Sequence, residues 1–550
     1  MANKPSLQSE PSISSNLRQA LTEKAHVDQQ TGIRSLFSKQ PERAEEFSFA
    51  IEDIHFDFSK THITHDLVSM YQSFAAEIGF DGWRHDLFSG VHINATEDRA
   101  VLHTLLRDPK NQGIATQDPD FLDQAESAKR QFAEQYQTIQ QQLASRETPV
   151  TDIIHVGIGG SALGTQLLFE SLKELADTTR IHFIGNIDAH QLVAVLQQCD
   201  VSSTLVIGVS KTFSTAETLK NINSIGEWYR SNGVDNYLQS VYAVTANPAN
   251  AASFGVPDSN TVTFPEWVGG RYSVWSSVSL SAALVLGFDK FEAFLDGAAA
   301  IDKHFYQSKP AENICFIAAM MDHYYSNFFE SGSRAIFAYD YRLRSLVDYL
   351  QQLETESNGK DRQRDGSAAD QNTSPVVWGG VGTDVQHSVF QLLHQGTAMI
   401  PAEFLLVVEP DHAMLDHHTE LLANGLAQSA ALLSGQDLDT VNSLHGDEGI
   451  TDLAAKAKIF SGNRPSTTLL LKKLSPRLLG SLLAFYEHRT FCNGVFTNIN
   501  SFDQMGVELG KRLARDLQPR LSLESARQMP GDANAEFDAS TETLIRRLRD

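Results

Sequence analysis

The sequence predicts an α/β protein with two parallel sheets, each covered by helices. Residues 152–244 and residues 335–408 both alternate short apolar runs with segments of helical spacing. Alternation of this kind is typical of parallel strands that are joined by helical crossovers and buried on both faces. The composition agrees, because 41% hydrophobic and 20% charged residues in a chain of 550 allow a sizeable core.

Each element follows from its apolar pattern. The predicted strands are residues 153–156, 181–184, 204–209 and 241–244 in the first region, and 335–339, 376–380 and 404–408 in the second. Helical spacing covers residues 13–46, 64–108, 120–146, 163–172, 189–198, 215–230, 278–307, 312–328, 412–434 and 475–490. Residues 47–63 roughly alternate and predict extended structure, and residues 510–550 predict a charged helical arm.

The charge of the chain narrows its possible partners. Lys and Arg total 44 against 68 Asp and Glu, which gives a formal net charge of −24. This acidity argues against a nucleic-acid or anionic-membrane partner.

The three cysteines are far apart and show no metal or redox spacing, and no apolar run reaches transmembrane length. We therefore expect a soluble cytoplasmic protein with no bound metal.

A glycine-rich turn follows the first strand of the first α/β region. Residues 157–162 read Gly-Ile-Gly-Gly-Ser-Ala and fit the pattern G-x-G-x-x-[GA] between a strand and a helix. Backbone N–H groups at such a turn can approach an anion, so one interpretation is a dinucleotide site. A tight strand-to-helix turn without a ligand explains the same residues equally well.

A second loop is rich in hydroxyl groups. Residues 210–218 read Ser-Lys-Thr-Phe-Ser-Thr-Ala-Glu-Thr, after a strand and at the start of a helix. Hydroxyls and N–H groups at a helix start suit a phosphate monoester, and Lys211 adds a positive charge. The alternative is a capping box in which Ser214 caps the helix and pairs with Glu217. One cap needs one hydroxyl, so the cluster favours a phosphate site.

Other candidate groups are single residues in polar surroundings. Arg271 follows two glycines, and its planar cation could stabilise an enediolate. Glu356 lies in the turn Glu-Ser-Asn-Gly-Lys and could act as a base, while His387 and His394 lie seven residues apart on a helix. Taken singly, each fits a salt bridge or a solvated side chain as well. The histidines at 412, 417 and 418 lack the spacing of a zinc site.

Seven motifs in one order carry a resemblance to a known family. They are Gly90–His103, Gly157–Ser161, Ser210–Thr218, Gly269–Ser273, Glu356–Lys360, Gly382–Thr397 and Phe502–Lys511. Together they resemble the phosphoglucose isomerase (glucose-6-phosphate isomerase) family over most of the chain. The Gly-Gly-Arg and Asp-Gln signatures are highly specific to it.

The resemblance implies a fold, a reaction and an assembly. The reaction is the aldose–ketose isomerisation of glucose 6-phosphate and fructose 6-phosphate through a cis-enediolate, in glycolysis and gluconeogenesis, without a cofactor or metal. The fold is two αβα domains of the sugar-isomerase type in a homodimer. The implied boundaries are an N-terminal helical segment packed with the larger domain, a smaller domain, the larger domain and a C-terminal arm, at residues 1–120, 121–290, 291–511 and 512–550.

The resemblance also implies roles for individual residues. Glu356 matches the base that moves a proton between C1 and C2, and Arg271 matches the group that stabilises the enediolate. Lys511 matches the residue that assists at the ring oxygen, and His387 the ring-opening residue that reaches the neighbouring subunit's site. The implied phosphate contacts are Ser210, Lys211, Thr212 and Thr215. Further implied substrate contacts are Gly160, Ser161, Glu217, Gln352 and Gln504.

Three positions depart from the family pattern. Ala162 stands where Asp is usual, Thr355 where Met is common, and Met505 where Trp is usual. None of these departures removes a proton-transfer group. Two alternatives stay open: a catalytically silent sensor of sugar phosphates on the same fold, and a dinucleotide-dependent dehydrogenase built on residues 157–162.

Overall fold

The computed structural model of the chain describes residues 13–110, 114, 118–176, 178–445, 451–521 and 537–549. They form an α/β structure with mainly parallel sheets, which confirms the predicted fold class. The chain divides into two compact units, Met1–Phe502 and Asp503–Asp550, and each is described by itself. Within the described residues, no helix is both long and apolar enough to span a membrane.

The strands form two sheets in the first unit. They are β1 (Ser48–Ile51), β2 (Ile54–Asp57), β3 (Asp152–Val156), β4 (Arg180–Ile184), β5 (Thr204–Val209), β6 (Val241–Thr245), β7 (Thr261–Thr263), β8 (Ser333–Tyr339), β9 (Val376–Val381), β10 (Ala402–Val407) and β11 (Ser466–Leu471). All seven strands predicted in the α/β regions are present, each within two residues of its predicted ends. Two strands, β7 and β11, were not predicted, because β7 has three residues and β11 opens with the polar run Ser-Thr-Thr.

Helices cover both sheets and form the second unit. The helices of the first unit are α1 (Ser15–Thr31), α2 (Ile33–Lys39), α3 (Arg43–Glu46), α4 (His65–Glu77), α5 (Phe80–Ser89), α6 (Pro119–Ala144), α7 (Leu163–Leu172), α8 (Ala189–Leu196), α9 (Ala216–Ser231), α10 (Pro248–Phe254), α11 (Leu280–Leu286), α12 (Phe288–Gln307), α13 (Ile314–Phe328), α14 (Leu346–Gln351), α15 (Gln386–Gln395), α16 (Leu415–Ser434), α17 (Leu438–His445), α18 (Asp452–Lys456) and α19 (Pro476–Phe496). Those of the second unit are α20 (Glu508–Leu521) and α21 (Ala539–Arg549).

The first sheet is parallel throughout, in the order β4-β3-β5-β6-β7. Its register sets Ile154 of β3 between His182 of β4 and Val206 of β5. The chain leaves β3 toward one edge of the sheet and returns through β5 toward the other edge. The crevice between β3 and β5 is therefore a topological switch point, where α/β proteins bind ligands at the carboxyl ends of the strands.

The second sheet has the order β1-β2-β11-β10-β8-β9. Strands β8 to β11 pair in parallel, and the β1–β2 hairpin adds two antiparallel strands at the edge next to β11. The extended structure expected at residues 47–63 is this hairpin. The N-terminal part of the chain thus contributes to the second sheet, while the domain boundaries at 120, 290 and 511 stay a prediction.

Helix α19 lies at the centre of the first unit. Every residue from Leu478 to Phe496 is buried, including the acidic and basic side chains of Glu487, His488 and Arg489. A helix that is buried all round must place its charges in paired networks. Its contact with α12 is close, since a Cβ on Gly480 would lie 1.9 Å from the carbonyl oxygen of Phe294. That crossing therefore requires glycine, and it fixes α19 as a rigid frame.

The second unit contains the two helices of the predicted arm. Arg520 of α20 donates two hydrogen bonds to Glu542 of α21, at 2.8 and 2.7 Å. Both helices present exposed leucines, among them Leu509, Leu544 and Leu548. Residues 522–536 of the predicted arm lie outside the described residues.

Candidate active site

Two loops meet at the switch point of the first sheet. The glycine-rich turn at residues 157–161 follows β3, and the hydroxyl-rich loop at residues 210–215 follows β5. Because β3 and β5 are neighbouring parallel strands, the loops that leave their carboxyl ends lie side by side. The fold therefore brings together two of the motifs that the sequence singled out.

The hydroxyl-rich loop leaves the start of helix α9 open. Thr215 is the N-cap residue, and within the described residues its side chain makes no capping hydrogen bond. Its hydroxyl lies 3.0 Å from the buried Ser210 hydroxyl instead, and the Ser214 hydroxyl donates to Thr212 Oγ1 at 2.8 Å. The capping box considered from the sequence is therefore not formed. Uncapped N–H groups at a helix start favour an anion.

Lys211 supplies positive charge beside this helix start. Its side chain is partly buried, and burial lowers the pKa of the Lys211 ammonium, as does repulsion from nearby Arg99. Arg99 is itself paired with Glu266 at 3.0 Å and lies 3.8 Å from Glu97. Two cations thus lie near an open helix start in a protein of net charge −24. Because Glu266 and Glu97 offset the charge of Arg99, Lys211 is the cation that this helix start offers to a phosphate monoester.

Glu356 ends a short π-helix that continues α14. The π-helix comprises Gln352–Glu356, and π-helical turns inside α-helices occur frequently at functional sites. One carboxylate oxygen accepts a hydrogen bond from Gln352 Nε2 at 2.7 Å, and the other lies 3.3 Å from Arg271 Nη1. The side chain stays 22% exposed. It is therefore oriented by two partners and accessible to a ligand.

Arg271 is buried and held by neighbours on three sides. Its Nε donates to Ser357 Oγ at 2.7 Å and its Nη2 to the carbonyl of Ser501 at 2.5 Å. The Tyr272 hydroxyl shares Ser357 Oγ at 3.0 Å. These bonds leave Nη1 directed at Glu356. The guanidinium is thus fixed before any substrate binds.

The glycine-rich turn packs onto the segment that carries Arg271. A Cβ on Gly160 would lie 2.2 Å from the carbonyl carbon of Gly270, and the Ser273 hydroxyl donates to the Gly160 carbonyl at 3.0 Å. Gly159 has φ of +59°, and a Cβ there would lie 2.9 Å from Gln352 Nε2. Glycine is required because the two backbones touch. The turn therefore packs against the residues that carry Arg271 and Gln352 and helps to position them.

The remaining predicted contacts of the first unit lie close to these loops. Ser161 belongs to a short 3₁₀ turn after β3, and its carbonyl accepts a hydrogen bond from the buried His155 at 2.7 Å. Burial lowers the pKa of His155 to about 4, so this imidazole is neutral at pH 7. Glu217 lies in the first turn of α9, partly buried.

His387 lies apart from this cluster. It is exposed near the start of α15, which follows the edge strand β9. The preceding Gln386 is fixed by the Tyr339 hydroxyl at 2.7 Å and by Asn424 at 3.2 Å. Among the described residues, no hydrogen bond or ion pair joins His387 to Glu356. Its predicted role across a subunit interface stays a prediction.

Lys511 and Gln504 belong to the second unit. Lys511 is exposed on α20 and lies 3.0 Å from Glu508 one turn earlier. Gln504 precedes a short 3₁₀ turn at Met505–Val507. Their predicted contacts with a substrate at Glu356 stay predictions.

Several residues that support the site were not singled out from the sequence. Ser357 and Ser501 hold Arg271, and the Lys360 ammonium donates to the carbonyl of Asn500. The Asn500 amide in turn reaches Asn94 Oδ1 at 2.9 Å. All of them lie within the family motifs or next to them, but residue type alone gives no sign of their role.

One group of potential metal ligands lies elsewhere in the first sheet. Ligand atoms of Asp152, His182 and Cys199 lie within 4.8 Å of one another. The buried Asp152 already accepts from Arg180 and from His182 at 2.7 Å, and burial raises the pKa of the Cys199 thiol to about 11. A guanidinium on the carboxylate and a protonated thiol both oppose a cation.

A cavity of about 630 Å³ is lined in part by residues of α6 and α12. None of the predicted site residues lines it. The proposed site is therefore located by its functional groups and not by this cavity.

A family comparison covers most of the chain. The family model described as "Phosphoglucose isomerase" matches residues 57–545. The match includes all the parallel strands of both sheets and all the residues placed at the site above.

Individual relatives and solved structures agree with this match. A glucose-6-phosphate isomerase of Rhizorhabdus wittichii is 43% identical over 518 residues, covering 94% of this chain and 96% of its own. One from Sphingopyxis alaskensis is 41% identical and covers 90% and 92%. A crystal structure of a glucose-6-phosphate isomerase from Chlamydia trachomatis superposes with a TM-score of 0.82 at 29% identity, covering 98% and 99%.

Proposed function

This chain belongs to the phosphoglucose isomerase family, and on that basis we propose that it interconverts D-glucose 6-phosphate and D-fructose 6-phosphate in glycolysis and gluconeogenesis. The observation that carries the proposal is the carboxylate of Glu356, held 3.3 Å from the buried guanidinium of Arg271. A base beside a fixed cation is what proton abstraction next to a carbonyl group requires.

The proton transfer assigns one role to each group. Glu356 removes the C2 proton of the open-chain aldose, and the C–H electron pair forms the C1=C2 bond of a cis-enediolate while negative charge develops on O1. Arg271 stabilises this charge. Return of the proton from Glu356 to C1, with movement of the O2 proton to O1, gives the ketose. The reaction needs a base, an acid and a fixed cation. C1 is reduced and C2 is oxidised within the same molecule, so no external oxidant or reductant is required.

The hydroxyl-rich loop anchors the phosphate. Lys211 and the uncapped start of α9 supply charge and N–H donors, and the hydroxyls of Ser210, Thr212 and Thr215 add hydrogen bonds. Binding energy from a phosphate far from C1 and C2 holds the sugar in place for the reaction. Gly160, Ser161, Glu217, Gln352 and Gln504 complete the proposed contacts with the sugar.

Ring opening is assigned to two groups outside the Glu356 cluster. His387 is exposed, so it can enter the site of a second copy of the chain, and Lys511 assists at the ring oxygen. The proposed assembly is therefore a homodimer with sites completed across the interface. The proposed location is the cytoplasm.

A coupled assay tests the activity. Purified, folded protein with fructose 6-phosphate and a dehydrogenase specific for glucose 6-phosphate should reduce the coupling nucleotide steadily. Folded protein that binds fructose 6-phosphate without turnover would point to the sugar-phosphate sensor instead. Titration with a reduced nicotinamide cofactor, followed by fluorescence, tests the dehydrogenase alternative, and we expect no binding.

A further inference from the structure

A buried ion network lies behind the π-helix, on the side away from the proposed site. Glu354 is two residues before Glu356, so the two side chains leave the helix on nearly opposite sides. Glu356 reaches Arg271, whereas the Glu354 carboxylate is 3% exposed and pairs with Arg334 of β8. The π-helix thus connects Glu356, the proposed base, to strand β8 of the second sheet.

The network continues from Arg334 into the central helix. Arg334 Nη1 donates to Asp322 of α13 at 2.6 Å, and Asp322 receives two more hydrogen bonds from Arg489 of α19, both at 2.7 Å. Although burial opposes it, Arg334 and Arg489 hold the pKa of the Asp322 carboxyl well below its usual range. Arg489 also donates to Glu403 of β10 at 2.7 Å. The network therefore joins strands β8 and β10 to helices α13 and α19.

Charge balance does not explain the presence of Glu354. Arg334 and Arg489 are two cations, and the buried Asp322 and Glu403 already supply two carboxylates. Glu354 is a third carboxylate, and its burial costs free energy that neutrality does not require. Burial accordingly raises the pKa of Glu354. The buried Glu354 carboxylate is therefore better explained by the position that it imposes on the π-helix.

A second tether lies on the other side of Glu356. Asn358, two residues after it, is buried and donates to the carbonyl of Thr490 of α19 at 2.8 Å. Its Oδ1 accepts from the Ser501 hydroxyl at 2.6 Å. The turn that carries Glu356 is thus tied to the α19 frame on both sides, at residues 354 and 358.

We propose that Glu354 is a positioning residue for the isomerase reaction: through Arg334 it anchors the π-helix so that the Glu356 carboxylate stays on Arg271. This inference rests on the proposed function, in which Glu356 is the base. A displacement of about 1 Å at a reacting group can cost on the order of 100-fold in rate. Without this anchor, the turn loses the ion pair that holds it on the side before Glu356, while the Asn358 tether after Glu356 remains.

The test compares Glu354→Met with Tyr486→Phe. Tyr486 of α19 donates to Glu403 at the far end of the same network, so its variant loses a buried hydrogen bond without touching the π-helix. We expect Glu354→Met to lower kcat roughly 10- to 100-fold with KM within about twofold of wild type. Tyr486→Phe should keep the wild-type kcat, even if its melting temperature falls as much as that of Glu354→Met. An equal loss of kcat in both variants, or a wild-type kcat in Glu354→Met, overturns the proposal.

Two further variants separate anchoring from charge. Glu354→Gln keeps an oxygen that accepts from Arg334, so we expect at least half of the wild-type kcat; a loss as large as that of Glu354→Met contradicts anchoring. Glu354→Leu, which also removes the carboxylate and leaves Arg334 paired with Asp322, carries the test should Glu354→Met not fold. Its kcat should stay at least about tenfold low, and a wild-type value overturns the proposal.

The split between kcat and KM gives a readout that a loss of stability alone would not move. In Glu354→Met, kcat should fall while KM stays near the wild-type value, because the hydroxyl-rich loop that binds the phosphate is unchanged. A KM that rises along with the fall in kcat contradicts the proposal. Wild-type protein is assayed first: absence of wild-type turnover refutes the proposed function, whereas an active wild type with an unaffected Glu354→Met refutes only the positioning role.

Discussion

Two carboxylates two residues apart have opposite environments in this protein. Glu356 is partly exposed and contacts Arg271, while Glu354 is buried and paired with Arg334. The same side chain can serve as a base or as an anchor, and the environment decides which. At the scale of single residues, sequence motifs identify Glu356, but only the contacts separate it from its neighbour.

Glu356→Gln tests the base. Glutamine keeps the size of the side chain and can still hydrogen-bond Gln352 and Arg271, but it cannot accept the C2 proton. We expect kcat to fall by roughly 10²–10⁴-fold or more with little change in KM or melting temperature. The matched control is Asp361→Asn, an exposed carboxylate five residues away, which should stay fully active. Near-normal turnover of Glu356→Gln would assign the base elsewhere.

The lowered pKa of Lys211 predicts a pH effect. Because burial and repulsion from Arg99 lower this pKa, Lys211 loses its charge at a lower pH than an ordinary lysine, and kcat/KM should fall there. Arg99→Gln removes a nearby cation and raises the pKa of Lys211, so the alkaline fall of kcat/KM should move to higher pH. The measurement is kcat/KM across the alkaline range for wild type, Arg99→Gln and the exposed control Arg362→Gln. A downward shift in Arg99→Gln would exclude this account.

At the scale of elements, the start of α9 shows how a local pattern is decided by its surroundings. The sequence predicts the helix, and it offers two roles for its hydroxyls, a cap or an anion site. In the structure Thr215 turns to Ser210 and leaves the helix N–H groups uncapped. The Thr215 hydroxyl can cap the helix or hydrogen-bond Ser210, but it cannot do both well. Which of the two it does depends on where the end of β5 places Ser210.

Lys211→Met tests this helix start as the phosphate anchor. Loss of a charged hydrogen bond costs about 1.5–3 kcal/mol, so kcat/KM should fall roughly 10- to 100-fold, and inorganic phosphate should compete more weakly. Lys220→Met, an exposed lysine on the same helix, is the control and should behave as wild type. Equal effects of the two substitutions would mean that general surface charge, rather than this loop, attracts the substrate.

The π-helix at Gln352–Glu356 is one of the elements that sequence reasoning missed. Its residues have no Pro or Gly, and local spacing does not distinguish an α-turn from a π-turn. The turn is defined by what holds it: Arg334 behind Glu354 and Thr490 behind Asn358. These partners lie 20 and 132 residues away in the chain, so short-range patterns carry no information about them.

At the scale of the whole molecule, the proposed site is incomplete within the Glu356 cluster. His387 is exposed, and among the described residues no hydrogen bond or ion pair joins it to that cluster. In the proposed homodimer each subunit supplies the base to one site and the histidine to the other, so activity would depend on assembly.

Mixing two inactive variants tests the shared site. Glu356→Gln and His387→Ala are each expected to be inactive as homodimers. After joint unfolding and refolding, half of the dimers are hybrids, and each hybrid has one site with both Glu356 and His387 intact. Activity should recover to about a quarter of wild type. No recovery, with hybrid dimers verified by distinct tags, would place both residues in the same subunit's site.

The fold class, the seven strands of the α/β regions and the family follow from the amino-acid sequence alone, which also supplies the candidate groups of the proposed site. These features can be read from the sequence because apolar periodicity and residue type are local properties. Only the folded chain shows which groups touch: the hydroxyls of residues 210 and 215, the Gly160–Gly270 contact, and the network that fixes the turn around Glu356. The last two join positions far apart in the chain, and all three depend on how strands and helices pack, which no single stretch of sequence specifies.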